Sequence, residues 1–237
     1  MRPAVHVERV MGTAVRVVAD DFCDERIAAA VEWLHWVDNT FSVHRDDSEI
    51  MRLRRGELSE EDAHPEVQAV LKRCMALRIV SDGAFDHRPD DALDPSGYVK
   101  GWAIERAATL LGDCGRFHID AGGDVVARGR WSVGIRDPQN LARSLPAVDL
   151  VDRAIATSGS YERGEHIWGP GNGVASVSVI GPDLGTADAI STALYSSPDH
   201  GWLERFPGYE AILITDDGEI RTSAGVGLGT DLVLRVA

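Results

Sequence analysis

The chain has 237 residues, 44% of them hydrophobic and 26% charged, which is the composition of an ordinary globular protein long enough to bury a sizeable core. Its formal net charge of −14 argues against a nucleic-acid partner, because grip on a phosphate backbone rests on clustered Lys and Arg, and no such cluster occurs. An acidic chain can still take an anionic ligand, but only where a metal or a few well-placed cations offset the charge. Cys23, Cys74 and Cys114 have long, unequal spacings that match no zinc pattern and exclude a fully paired disulfide framework. The expectation is three buried free thiols in a reducing compartment. Met1-Arg2-Pro3-Ala4-Val5-His6-Val7 has no apolar signal core, and no apolar run reaches the roughly 20 residues of a membrane span, so a cytoplasmic protein is expected.

Val5 to Val18 alternates as a strand, interrupted at Met11-Gly12-Thr13, where the glycine suggests a bulge or a close approach to the backbone. Asp24 is placed to cap a helix whose apolar stripe runs through Ile27, Ala30, Val31, Leu34, Val37 and Phe41. A polar loop follows Phe41 and begins a short helix that ends at Gly56. Pro65 opens the next helix, through Val67, Val70, Leu71, Cys74 and Leu77, with Gly83 suited to the left-handed C′ position. Asp94-Pro95-Ser96-Gly97-Tyr98-Val99-Lys100-Gly101 leads into a third helix through Ile104, Ala107, Ala108 and Leu111.

From Phe117 the pattern changes to short strands between glycine turns: Phe117 to Asp120, Asp124 to Ala127, Trp131 to Arg136, Ala154 to Thr157, His166 to Trp168 and Val174 to Ile180. A helix over 185–195 intervenes, and a meander closes the chain through Tyr209 to Thr215, an Asp217-Gly218 turn, Glu219 to Thr222 and Leu232 to Val236. Helices early and hairpin-linked strands late predict an α+β fold with a mostly antiparallel sheet rather than a βαβ parallel one. No linker or repeat divides the chain, so a single domain over 1–237 is expected.

In the helix over 185–195, Thr186 is placed as the N-cap, and Asp188 and Thr192 stand at i and i+4. That spacing stacks a carboxylate and a hydroxyl on one face, the oxygen-only chemistry that a hard cation such as Mg²⁺ requires. The competing reading has Asp188 capping the first turn and Thr192 bonding back to a carbonyl. Lys100, early in its helix beside free backbone amides, would make an anion site, or else it is an exposed first-turn lysine. Ala121-Gly122-Gly123-Asp124 lacks the spacing of a dinucleotide fingerprint, and Ser158-Gly159-Ser160 falls short of a nucleophile elbow.

Taken together, nine ordered segments resemble one family, the FAD:protein FMN transferases or ApbE-like proteins. They are Met11-Gly12-Thr13, Phe41-Ser42 with Ser48-Glu49-Ile50, Gly83-Ala84-Phe85-Asp86, Lys100-Gly101-Trp102-Ala103, Asp120-Ala121-Gly122-Gly123-Asp124, Trp131 to Pro138, Ala156 to Tyr161, His166-Ile167, and Ala187-Asp188-Ala189 with Thr192-Ala193-Leu194. The resemblance implies an ApbE-like, T-fold-related architecture and an enzyme that cleaves the pyrophosphate of its substrate FAD. FMN is then joined to a Thr or Ser hydroxyl of an acceptor protein, and AMP is released. It implies Mg²⁺ on Asp188, Thr192 and the Gly97 carbonyl. It places Met11, His44, Ala84, Phe85, Asp86, Asp94, Lys100 and Ile167 around FAD, and makes His166 the general base. The chain departs from the pattern in having Trp168-Gly169-Pro170 where Ile-Asp-Pro is common, Arg54 for an Asn, His44 for an aromatic, Glu105 for an Asp, and a short stretch between Asp86 and Asp94. An FAD pyrophosphatase and a flavin-binding module without chemistry are the alternative readings.

Overall fold

In the computed structural model, which describes residues 4–20, 23–112, 114–144, 147–159, 173–197 and 201–223, the chain begins with a hairpin. The single interrupted strand expected over Val5 to Val18 is two strands, β1 (Ala4–Val10) and β2 (Thr13–Ala19), paired antiparallel from Ala4↔Ala19 to Val10↔Thr13. Met11 and Gly12 form the turn, with φ of 53° and 71°. Two successive left-handed residues match the twist of a tight hairpin, a conformation that Gly12 accepts without cost and Met11 does not.

The helical stripes lie where their periodicity puts them. In α1 (Asp24–Phe41) Ile27, Ala30, Leu34, Val37 and Phe41 are buried, and Cys23 rather than Asp24 holds the N-cap position. Asp24 and Glu25 instead occupy the first turn, where the helix dipole favours negative charge. In α2 (Glu49–Arg54) the Ser48 hydroxyl accepts the Met51 N–H at 3.1 Å. Pro65 begins α3 (Pro65–Val80). Its end is closed by Asp82 N–H donating to the Ile79 carbonyl and Gly83 N–H to that of Arg78. This is a Schellman closure in which Asp82, at φ 53°, takes the C′ position and Gly83 follows it. Trp33 on α1 donates its indole N–H to the Ala103 carbonyl of α4 (Ser96–Leu111), fixing the two helices side by side.

The later segment supplies most of one antiparallel sheet. Its members are β1, β2, β3 (Phe117–Ala121), β4 (Asp124–Arg128), β9 (Ala154–Gly159), β10 (Val174–Gly181), β11 (Glu210–Thr215) and β12 (Ile220–Thr222), side by side in that order. Strand alternation divides the apolar residues between two cores. Val15, Val17, Phe117, Ile119, Val126, Ala156, Val177 and Val179 face the helices, including α5 (Leu184–Ser196). Val125, Ala127, Ile155, Ile180, Ile212 and Ile214 face the other way, against Ile135, Val148 and Leu150. The last two belong to β8 (Val148–Val151), which pairs with β5 (Arg130–Val133); β6 (Arg136–Asp137) pairs with β7 (Asn140–Ser144). The fold is α+β as expected, while β7 and β8 are elements the strand pattern did not signal. The expected strands at His166 to Trp168 and Leu232 to Val236 lie outside the described residues.

The expectation of three free thiols is corrected. Cys23, ahead of α1, and Cys114, after α4, form a disulfide across a sequence separation of 91, with Cα atoms 5.9 Å apart. Linear spacing carried no information here, because antiparallel packing of two helices brings the start of one beside the end of the other. Cys74 remains a free, buried thiol, pushed up to about 12 by desolvation. Among the described residues no helix is long and apolar enough to cross a membrane.

Candidate active site

The sheet brings most of the singled-out segments to one end. The β1–β2 turn at Met11-Gly12 and the β3–β4 turn at Gly122-Gly123 lie on the same edge, since Val15 pairs with Ala121. A methyl group at Gly122 would stand 2.8 Å from Thr13 Oγ1, so the two turns are in contact. β9 runs antiparallel to β4, which places its Thr157-Ser158-Gly159 end beside Asp124. β10 leaves from the same edge, Ser176 pairing with Gly159. The 160–172 connection, which carries His166 and Ile167, is outside the described residues.

Against this edge sits α5. Its N-cap is Asp183, which accepts the Thr186 N–H at 2.8 Å, so the helix starts at Leu184 and Thr186 is its third residue rather than its cap. Asp183 also accepts a hydrogen bond from the Tyr209 hydroxyl. Glu105 of α4 takes the Leu184 N–H at 3.0 Å and pairs with Arg128 of β4, so one side chain ties α4, α5 and the sheet together. With its start fixed, α5 presents Asp188, 1% exposed, and Thr192, half-buried, toward the first turns of α4.

Gly101 N–H donates to Asp188 Oδ2 at 3.0 Å. In a regular helix that amide serves the carbonyl four residues earlier, Gly97, so the carboxylate competes with that carbonyl for the donor. Thr192 faces the same place. A methyl group at Gly97 would lie 3.3 Å from Thr192 Cγ2, 3.5 Å from its Oγ1 and 3.4 Å from the Phe85 ring. The absence of a side chain at Gly101 is equally required, because a Cβ there would stand 2.5 Å from the Leu184 carbonyl oxygen and 2.9 Å from Asp188 Cβ. Gly101→Ala is therefore expected to destabilise the fold by about 1–3 kcal/mol through overpacking, read as a lowered urea midpoint. An unchanged midpoint would mean that α4 and α5 are not held this closely.

These residues fit a hard cation. One carboxylate, one hydroxyl and one backbone carbonyl are oxygen donors of the kind Mg²⁺ takes while keeping several waters. Among the described residues no group of three or more His, Cys, Asp or Glu could hold a metal.

Lys100 is not an exposed first-turn lysine. Its ammonium pairs with Asp124, and the two side chains are 14% and 0% exposed. The other Asp124 oxygen accepts the Thr157 N–H at 3.0 Å. Next along β9, Ser158 Oγ lies 2.9 Å from Ser191 Oγ, and the Ser191 hydroxyl donates to the Asp188 carbonyl at 3.0 Å. Asp124, Ser158 and Ser191 thus extend a polar seam from Lys100 to the Asp188 turn through an otherwise apolar interface. Residue-level reasoning assigned none of the three a role. The signals available were the acidic residue closing the Gly-Gly turn and a serine three positions after Asp188.

The other residues expected around FAD lie on several separate elements. Phe85 is buried against Gly97, its N–H held by the Ser81 hydroxyl at 3.0 Å. A cleft of about 550 Å³, lined by Ser81, Ala84, Ser196, Trp202 and Arg205, opens beside it. Asp86 is committed to Arg78 at 3.2 Å and to the Arg88 N–H at 3.0 Å. Asp94 accepts the Ser96 N–H at 3.0 Å just ahead of α4 and pairs with Arg54 at 3.7 Å. Arg54 also donates to the Leu93 carbonyl, so the Arg found in place of the usual Asn braces the segment that leads into α4. Met11 sits in the β1–β2 turn, half-buried, whereas His44 is exposed and has its backbone N–H bonded to Ser42.

A sheet with helices on one face carries at one end a buried carboxylate, a hydroxyl and a lysine gathered on glycine-rich backbone. The model of the ApbE family matches residues 11–89 and 87–213, and the chain belongs to that family. It is 31% identical over 173 residues to the FAD:protein FMN transferase of Treponema pallidum (strain Nichols), a match covering 56% of this chain and 46% of that one. To the FAD:protein FMN transferase of Chlamydia trachomatis serovar D it is 32% identical over 120 residues, 43% of this chain and 38% of the relative. The matched stretches thus span less than half the length of either relative. The solved flavin transferase ApbE from Vibrio cholerae shares the fold, with a TM-score of 0.80 at 20% identity over 94% of this chain and 97% of that one.

Proposed function

We propose that this chain, as one ApbE-like domain over 1–237, is a Mg²⁺-dependent FAD:protein FMN transferase. The carrying observation is the buried Asp188 carboxylate, oriented by the Gly101 amide and set beside Thr192 and the start of α4. A metal bound by Asp188, Thr192 and the Gly97 carbonyl would supply the charge neutralisation that transfer of a phosphoryl group demands. Lys100 would offer a positive charge to the pyrophosphate, and the flavin would lie in the cleft beside Ala84. His166 accepts the proton of the acceptor Thr or Ser hydroxyl as its oxygen bonds to the FMN-side phosphorus. The bond from that phosphorus to the bridging oxygen breaks, and AMP leaves with the oxygen. Imidazole, with an unperturbed pKa of about 6.5, can take up a hydroxyl proton at neutral pH. The partner is a flavin-accepting protein, and the net charge of −14 argues against nucleic acid. The Cys23–Cys114 disulfide favours an oxidising compartment over the cytoplasm expected from the sequence.

Incubation of FAD, Mg²⁺ and a Thr-containing acceptor peptide, followed by mass spectrometry, tests the assignment. Flavinylated peptide with AMP is the expected result. FMN and AMP without modified peptide would make the protein a pyrophosphatase, and intact FAD a binding module. His166→Ala is expected to slow transfer about 10²–10⁴-fold in single-turnover experiments with FAD affinity nearly unchanged. Equal rates would remove the histidine from the chemistry.

A further inference from the structure

We propose that Asp124 is a positioning residue that holds the Lys100 ammonium ready for a pyrophosphate and thereby sets a preference for FAD over FMN; this rests on the flavin-transfer reading above. Asp124 is fully buried and immobilised from two sides. As the first residue of β4 it pairs with Ala121 across the Gly122-Gly123 turn, and its carboxylate takes the Thr157 N–H from β9 at 3.0 Å. Its second oxygen meets Lys100.

A lysine has four rotatable bonds, and ordering them when a ligand arrives weakens binding. Docked on a rigid sheet carboxylate, Lys100 has lost that freedom before the ligand comes, and its side chain keeps 14% of its surface exposed. Stability alone does not call for the pair, since a buried ion pair can often be replaced by apolar residues without loss. Location supplies the reason. Lys100 precedes the residue whose amide orients Asp188, so two centres of positive charge, the lysine and a metal at Asp188, would stand close together. A ligand with two linked phosphates can engage both. FMN, with one, cannot.

The test uses the full chain with three variants, Asp124→Asn, Lys100→Met, and the double variant Lys100→Met/Asp124→Asn. FAD and FMN affinities are measured by equilibrium dialysis with Mg²⁺, alongside thermal melting. Asp124→Asn is expected to weaken FAD binding about ten- to hundredfold, the range of one hydrogen bond to a charged group, with FMN binding unchanged. The double variant avoids burying the lysine charge without its carboxylate. It is expected to melt near the unaltered protein and to show the FAD-to-FMN ratio of Lys100→Met alone. A ratio that stays the same or rises in Asp124→Asn, or one preserved in the double variant, would overturn the proposal and leave the pair as a fold element. If the unaltered protein binds neither flavin, the flavin-transfer reading falls first and the proposal with it.

Discussion

Asp188→Asn is expected to reduce FMN transfer on the order of 10³-fold or more while leaving the chain folded. Asparagine has nearly the same shape, and its carbonyl oxygen can still accept the Gly101 N–H that the carboxylate takes at 3.0 Å. What disappears is the negative charge. A hard cation depends on at least one anionic oxygen, and the other proposed donors, Thr192 and the Gly97 carbonyl, are neutral. Losing the metal removes several kcal/mol of transition-state stabilisation, about a factor of ten for each 1.4 kcal/mol. Single-turnover rates across a Mg²⁺ titration would check this. If the variant transfers FMN at the unaltered rate with the same Mg²⁺ dependence, Asp188 is a buried structural carboxylate.

The second large effect is on stability. Reducing the Cys23–Cys114 bond frees a loop spanning a separation of 91 residues, and chain entropy assigns a constraint of that length roughly 4–5 kcal/mol. For a chain of this size each kcal/mol corresponds to about 2–4 °C, so reductant is expected to lower the melting midpoint by about 10 °C or more. Cys23→Ser is expected to reproduce the shift and to be insensitive to reductant. Cys74, buried and with its thiol pushed up to about 12, takes no part. Identical melting curves with and without reductant would mean that the two thiols stay free in solution.

The sequence is legible where its determinants are physically local. The stripes of α1 and α3, Pro65 at a helix start and the strand alternation around Phe117 and Val174 all depend on neighbours within a few positions. Sequence and structure part where the determinant is tertiary. Thr186 has the chemistry of a cap, but Asp183 wins because Tyr209 and Glu105 fix the chain one turn earlier. Met11-Gly12 looks like a bulge until its flanks are seen to pair with each other. β8 alternates over only four residues and gains its burial from the opposite core.

The candidate site was legible as a set of residue types, not as an assembly. Asp188 and Thr192 are related by helix geometry alone, so their shared face follows from spacing. The approach of Gly97 and Gly101 to that face requires two helices to touch, and the Asp124–Lys100 pair requires a strand and a helix to meet. Neither is encoded in any short window. Glu105 and Arg54, departures from the family's usual residues, turn out to be braces for α5 and for the segment before α4.

A crystal grown with Mn²⁺ and FAD, measured for anomalous scattering, tests the central claim most directly. The account predicts one strong peak with Asp188, Thr192 Oγ1 and the Gly97 carbonyl oxygen each at roughly 2.1–2.3 Å, close to the Mg²⁺ distance of about 2.1 Å, and the FAD pyrophosphate between that peak and Lys100. A peak elsewhere, or FAD bound with its pyrophosphate turned away from Lys100 and no metal at Asp188, would contradict it.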